Sequence, residues 1–524
     1  LATLIVAFAP QLVAQTKPTI EQFFNVPSPL SITTARKADR VAWNNYERGM
    51  RNIYTAAAPD YKPVRLTRFL EDNGIDLTDP QLSDDGSIVV FVRGSAPNRV
   101  GWIANPSHEP QGSERAIWAA RTNGSGVWRI AEGAAPDLSP DGRYVLYVKE
   151  GQIYRARVTP NGPTTSMDTG AVPFLRQWGV NSNPRWSPDG TKISFVSMRT
   201  DHSFIGVYDT KTRKVDFLAP SVDFDNSPVW SPDSKHIAFT RRPGLPFGAQ
   251  GQDAAAAAGG RGGGRGAIPG GGRGGRGGRG ADVEDTIPTS PGMYRAAFKG
   301  GYTLSLMVAD VATGEAREIW HNKPNDRVFT AMNRLMWAAD HIIFPLSPPN
   351  DEFDRYYSIS ISNAQPDPVM ITTTNGLIED ATSAALSPDG KTLYYCTNAN
   401  DIERRHIWAV PVDGSAQPKQ VSTGEGIETY PQPLASGRQV AVLYFNVAQP
   451  ASVGIVPTAG GQAKVVYPTL SKDFPVAEHV TPQIVITKAP DGLEIHNQLF
   501  LPKDLKPGEK RPAMIFVHGG PPRQ

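Results

Sequence analysis

Four residues near the end of the chain, His518-Gly519-Gly520-Pro521, have the composition of a turn that could serve acyl-transfer chemistry. They follow an apolar run at residues 513–517 that reads as a strand. Glycine has no Cβ, so backbone N–H groups can approach a tetrahedral intermediate and stabilise the negative charge developing on its oxygen. A simple tight connection is the other reading. The matching nucleophile would be a serine in a G-x-S-x-G elbow, and the 524 residues contain no such sequence. No serine, aspartate or histidine of the chain is therefore assigned to a catalytic triad.

The remaining reactive side chains point elsewhere. Cys396 is the single cysteine, so no intramolecular disulfide is available, and its setting TLYYC predicts a packed strand position. His236 and His406 fall in predicted strands as packed or edge residues. No HExxH or cysteine-rich spacing occurs, so neither a metal site nor a cofactor is expected. Trp186 and Trp230 precede equivalent turns and are expected in the core.

The elements that would position the terminal turn are repeated. A polar turn followed by a short strand recurs as LSDDGSIVVFV from Leu82, LSPDGRYVLYV from Leu138, WSPDGTKISFV from Trp186, WSPDSKHIAFT from Trp230 and LSPDGKTLYYC from Leu386. Asp hydrogen-bonds nearby backbone and Gly permits positive φ, which makes each phrase a turn between strands. Asp85, Asp141, Asp189 and Asp233 are 56, 48 and 44 residues apart, a period suited to one four-stranded blade each. A weaker copy starts at Arg334. Further strands such as RAIWAAR from Arg115 and HIWAVPV from His406 follow the turns with period-two alternation. The expected fold is mainly β: a seven- or eight-bladed β-propeller, eight being preferred, over residues 35–475. Residues 16–34 form a lead-in, and 476–524 are the first strands of an α/β-hydrolase domain. An array of β-sandwiches would need repeats nearer one hundred residues.

Residues 251–280 hold 15 glycines and five arginines, within an insertion at about 244–288 that cannot bury enough apolar surface to fold by itself. The formal charge of +2, from 53 basic and 51 acidic side chains, gives no nucleic-acid footprint, and no nucleic-acid partner is expected. Residues 1–15, LATLIVAFAPQLVAQ, resemble a secretory signal with processing near Ala14 and Gln15, so an exported, periplasmic or extracellular protein is expected. No later apolar run reaches the length of a membrane-spanning helix.

Taken with the repeats, the segments DGLEIHNQLFLP and RPAMIFVHGGPP resemble the start of the hydrolase domain in the prolyl oligopeptidase family, in its exported dipeptidyl-peptidase and acylaminoacyl-peptidase-like branches. RGMRNIY at 48–54 resembles a first-blade phrase of the same group. The resemblance implies a serine peptidase acting on peptides. Its Ser-Asp-His triad is expected beyond residue 524, its propeller limits substrate access, and these residues alone are expected to be inactive. The resemblance further implies that the Gly520 backbone amide contributes to an oxyanion hole, with Gly519 allowing the turn; His518 stands where some relatives carry an oxyanion tyrosine and is expected to support the turn. Relatives that release dipeptides can hold a substrate amino terminus on propeller carboxylates. Asp351, Glu352 and Asp354 are the corresponding candidates here, although the adjacent-glutamate signature is absent and a solvated loop is the competing reading; Glu425 with Glu428 is no better supported. The alternative function is a noncatalytic propeller that binds a peptide or a cell-envelope protein.

Overall fold

The computed structural model describes residues 17–98, 102–110, 112–159, 169–244, 296–326, 328–362, 366–378 and 383–517. His518, Gly519, Gly520, the Gly/Arg-rich tract and the signal-like segment lie outside these residues.

The repeated turn is held together by its own side chains. Ser187 Oγ donates to Asp189 Oδ1 at 2.6 Å and accepts the Lys192 amide at 2.9 Å, while Asp189 accepts the Thr191 amide at 3.0 Å. Gly190 sits at φ +72°, where a Cβ would be strained. The same serine–aspartate pairing recurs at Ser83/Asp85, Ser139/Asp141, Ser231/Asp233 and Ser387/Asp389. In the Asp233 copy, Ser234 takes the left-handed position at φ +62°. Hydrogen bonds led by those from Ser231 and Ser387 hold the Asp233 and Asp389 carboxyls below the usual range.

These turns join the first two strands of successive up-and-down antiparallel units. The units begin with Ser28–Thr34, Leu77–Leu82, Ala134–Leu138, Val180–Trp186, Phe224–Trp230, Met336–Ala338, Ala384–Leu386 and Ile427–Pro433. The result is a propeller-like arrangement of small sheets, and the first strand starts at Ser28 rather than near residue 35. Second strands are buried on both faces because units lie on either side of them. In Ile88–Arg93, Val89 and Phe91 pack with Ala42 and Ile53 of the preceding unit, and Val90 and Val92 pack with Val145 and Tyr147 of the following one. Period-two alternation thus places a single strand in two cores. Cys396, 1% exposed, occupies one of these cores.

A feature of the first strands adds to the repeat. Asp79, Ala135, Asn183, Ser227 and Tyr430 all have positive φ, and each is followed by proline: Pro80, Pro136, Pro184, Pro228 and Pro431. The pairing register shifts next to Asp79, Asn183, Ser227 and Tyr430, between Thr78 and Gln81, Ser182 and Arg185, Asn226 and Val229, and Thr429 and Gln432. A bulge tolerates proline because the ladder is interrupted there. Around these bulges neighbouring units are stitched together. Gln81 Nε2 donates to the Pro136 carbonyl at 2.6 Å, Asp137 Oδ2 accepts the Trp186 amide at 2.8 Å, and Trp230 Nε1 donates to the Arg185 carbonyl at 3.3 Å.

The first and last units pack on each other. Trp43, Tyr54, Leu434, Ala441, Val453, Ile455 and Tyr467 share one core. Thr34 Oγ1 donates to the Pro433 carbonyl at 3.0 Å, Tyr61 Oη donates to Gln439 Oε1 at 2.6 Å, and Asp39 Oδ1 accepts the Ser436 amide at 2.7 Å. Both sheets are built from consecutive strands, so the seam is made by side-chain packing and hydrogen bonds rather than by an exchanged strand.

Candidate functional site

Strand direction alternates within each unit, which sorts the connections onto two edges. The serine–aspartate turns and the third-to-fourth connections share one edge; the second-to-third connections and the crossings to the next unit share the other. Among the described residues, several exposed large apolar side chains in the connections fall on the second edge. Leu70, Trp178 and Val222 lie in crossings, and Trp102, Ile402 and Val447 lie in second-to-third connections. Trp178 is 80% exposed, with the Arg199 guanidinium 5.2 Å from its ring centroid. This is a held aromatic rather than a loose one. The long insertion also leaves from this edge, between His236–Arg242 and Ser305–Asp310. Its first foot is fixed by Arg242, which donates to the carbonyls of Thr330 and Met332 at 2.6 and 3.2 Å.

The acidic run lies on the same edge, between His341–Leu346 and Arg355–Ser360. Asp351 is committed to Arg355, whose Nε donates to Oδ2 at 2.7 Å and whose Nη2 donates to Oδ1 at 3.2 Å. Arg355 is 4% exposed and also donates to the Thr372 and Thr374 carbonyls and to Asn375 Oδ1. These hydrogen bonds, Arg355's first, hold the Asp351 carboxyl below its ordinary range. Asp354 accepts from Ser347 Oγ at 2.5 Å. An incoming ammonium group would compete with a buried guanidinium for Asp351. Glu352 stands between these two on the same loop.

Glu428 does not pair with Glu425. It is fully buried, and its Oε2 accepts from Ser422 Oγ at 2.7 Å and meets His406 Nδ1 at 2.8 Å. Glu425 instead receives Arg404 Nη2 at 3.0 Å. The Ser422 hydroxyl faces the carboxylate rather than the imidazole and also accepts the Ile407 amide at 2.7 Å. The cluster therefore cross-ties strands and is not a serine activated by a base. His236 is partly exposed on its strand and stacks with Trp337 at 6.3 Å, while Trp186 and Trp230 each join the core between their own unit and the preceding one. Among the described residues no group of three His, Cys, Asp or Glu could hold a metal ion. No described helix is long and apolar enough to cross a membrane.

Two buried carboxylates carried no sequence signal for their state. Asp225 is fully buried and takes a two-pronged hydrogen bond from Arg241 at 2.7 and 2.8 Å. Asp79 is 6% exposed, and its Oδ1 has no hydrogen-bond partner among the described residues. Burial, opposed in part by the Arg115 charge, pushes its carboxyl up to about 6.

Past the last unit the chain forms a hairpin, Gln483–Lys488 paired with Glu494–Leu499, in which every residue is exposed. The hairpin meets the loop-bearing edge at His496 Nδ1, 2.6 Å from Glu403 Oε1 in a second-to-third connection. Residues 513–517 take no strand geometry because no neighbouring strand pairs with them, and Met514, Ile515, Phe516 and Val517 are 82 to 95% exposed. A two-stranded hairpin with both faces in water is marginal alone, so these strands are suited to joining a larger sheet.

No family model matches the chain. It is 29% identical over 109 residues to the Bacillus subtilis protein named Uncharacterized peptidase YuxL, covering 20% of this chain and 16% of that protein. It is also 29% identical over 167 residues to a Chlorobium luteolum protein named as a TolB homolog, covering 31% of this chain and 33% of that protein. The chain thus matches a third or less of the length of these curated relatives. Among solved structures, dipeptidyl peptidase 4 of Porphyromonas gingivalis superposes with a TM-score of 0.55 at 13% identity, over 94% of this chain and 67% of that one. That likeness is one of fold.

Proposed function

We propose that the intact protein is a serine peptidase of the prolyl oligopeptidase type, in which residues 28–467 form an eight-bladed propeller and the hairpin at 483–499 opens an α/β-hydrolase domain. The observation that carries this reading is the shared edge. The hairpin contact, the strand ends that flank the long insertion, the acidic loop and the exposed Trp102 and Trp178 all lie on it, whereas the serine–aspartate turns occupy the opposite edge. Apolar groups left in water each forgo roughly 1.5–3 kcal/mol of burial when fully covered, so a second domain seated here would gain from them. On this reading the hydrolase domain sits over the loop-bearing edge and the propeller screens out bulky folded substrates. The apolar run at 513–517 would pair into that domain's sheet and lead to an oxyanion turn at His518, Gly519 and Gly520, with the Ser-Asp-His triad beyond residue 524. The signal-like segment supports export to the periplasm or the extracellular space.

The intact protein should bind a fluorophosphonate probe covalently at one serine and hydrolyse short peptides, with loss of both on mutating that serine. Full-length protein that neither labels nor cleaves peptides would overturn the reading. The partial likeness to a TolB homolog favours a second reading, a noncatalytic propeller binding a peptide or an envelope protein. Peptide binding without turnover by the same preparation would select it.

A further inference from the structure

We infer that the N-terminal lead-in is a positioning strap that sets how the hairpin stands on the propeller. The inference rests on the domain arrangement proposed above. The strap is the short helix Ile20–Phe24, closed by a capping box in which the Gln22 amide donates to Thr19 Oγ1 at 3.3 Å and Gln22 Oε1 accepts the Thr19 amide at 2.8 Å. Reciprocal capping fixes the direction in which so short a helix presents its side chains. Phe23 is directed at the segment joining the last unit to the hairpin. Its ring stacks on His479 at 5.5 Å and 22°, and meets Phe474 edge-on at 6.4 Å and 75°. Phe474 and His479 contact each other at 5.1 Å, so the three rings form a closed set.

His479 is held on its other side as well. Its Nδ1 lies 2.7 Å from the Val447 carbonyl, so Nδ1 carries the proton and donates to the second-to-third connection of the last unit. Three residues separate His479 from the start of the hairpin at Gln483. On the far side of the hairpin, Lys503 Nζ donates to the Ala477 carbonyl within the same joint. One imidazole therefore links the lead-in, the propeller edge and the approach to the hairpin. Behind the strap is a cleft of about 420 Å³ lined by residues including Asn25, Arg48, Leu470 and Asp473. This cleft gives the joining segment room to shift when the ring contact is removed.

Phe23, Phe474 and His479 act through the hairpin and touch no reacting atom, so they are positioning residues. In the intact protein, Phe23→Ala is expected to speed amide hydrogen exchange at 469–482 and in the hairpin at 483–499 by roughly two- to tenfold, the worth of an aromatic pair. Exchange in the blades should not change, and Phe23→Tyr should restore the wild-type pattern. In peptide hydrolysis the same substitution should raise KM more than it lowers kcat, because the aperture between hairpin and propeller changes while the folded fraction does not. Faster exchange confined to residues 17–25, or a Phe23→Tyr protein that behaves like Phe23→Ala, overturns the strap. A protein without turnover would refute the peptidase reading, yet the exchange pattern would still decide the strap.

Discussion

Asp79→Asn is expected to stabilise the protein at neutral pH. In the folded chain the carboxyl titrates at about 6, against 3.8 for the free side chain, chiefly because it is buried. A raised folded value means that the folded state binds the proton more tightly than the unfolded state. The group therefore costs stability above pH 6, and the cost fades as the pH falls from 6 toward 3.8. At about 1.4 kcal/mol per pH unit, this difference sets a ceiling of about 3 kcal/mol at pH 7.5, which a neutral amide would recover. The backbone favours the exchange too, because Asp79 has φ +53° and asparagine accepts left-handed geometry. Loss of the attraction to Arg115 works against the gain and is already contained in the value near 6. Urea midpoints at pH 7.5 and pH 4, with the slope unchanged, measure the effect. A lower midpoint for Asp79→Asn at pH 7.5, or an equal gain at both pH values, would refute the reasoning. Burial pushes the Asp225 carboxyl up to about 6 as well, in spite of the hydrogen bonds from Arg241, so the same recovery is available there; Asp225→Asn differs in leaving the Arg241 guanidinium without its carboxylate, a cost of roughly 3–5 kcal/mol that should cancel or outweigh that recovery at pH 7.5.

Three further outcomes follow from the same geometry. Asp351→Asn should lower the urea midpoint by roughly 3 kcal/mol, because the buried Arg355 guanidinium loses the Asp351 carboxylate; unchanged stability with a raised KM for free-amino peptides would instead assign Asp351 to the substrate. Ser187→Ala should cost roughly 1–2 kcal/mol in urea denaturation, since the hydroxyl is fully buried and joins Asp189 to the Lys192 amide. Replacing residues 245–295 by a short Gly-Ser linker should shift the midpoint by less than about 1 kcal/mol, because the flanking strands pair in register from His236–Asp310 to Arg241–Ser305 without it.

The turns were legible in the sequence because each carries its own chemistry within a few residues. Serine, aspartate and glycine at fixed spacing specify a hydrogen-bonded loop whatever surrounds it. The bulges were equally local and went unread, although proline stands five residues before Asp85, Asp141, Asp189 and Asp233. Proline in a strand reads as a breaker until the interrupted ladder accounts for it. The acidic run shows the opposite limit. Its carboxylates were visible, but Asp351's commitment depends on Arg355 reaching the carbonyls of Thr372 and Thr374, contacts that no spacing encodes. Asp79 and Asp225 are both buried carboxyls raised to about 6, and only at Asp225 does an arginine arrive in hydrogen-bonding geometry, which no spacing announces.

On the peptidase reading, the same distinction governs what the loop-bearing edge can contribute. Its charged groups are largely committed to one another: Asp351 to Arg355, Glu425 to Arg404 and Glu428 to His406. Its exposed aromatics are not committed to a core, since Trp102 and Trp178 remain 76 and 80% in water. A substrate passing this edge would therefore meet apolar and cation-backed aromatic surface before it met an uncompensated charge. Selection at the propeller should then follow peptide length and bulk more than terminal charge. Blocking the amino terminus of a short peptide would change KM less than adding a folded element to its far end, and a KM that rises steeply on acetylation alone would argue for an amine-binding carboxylate on this edge after all.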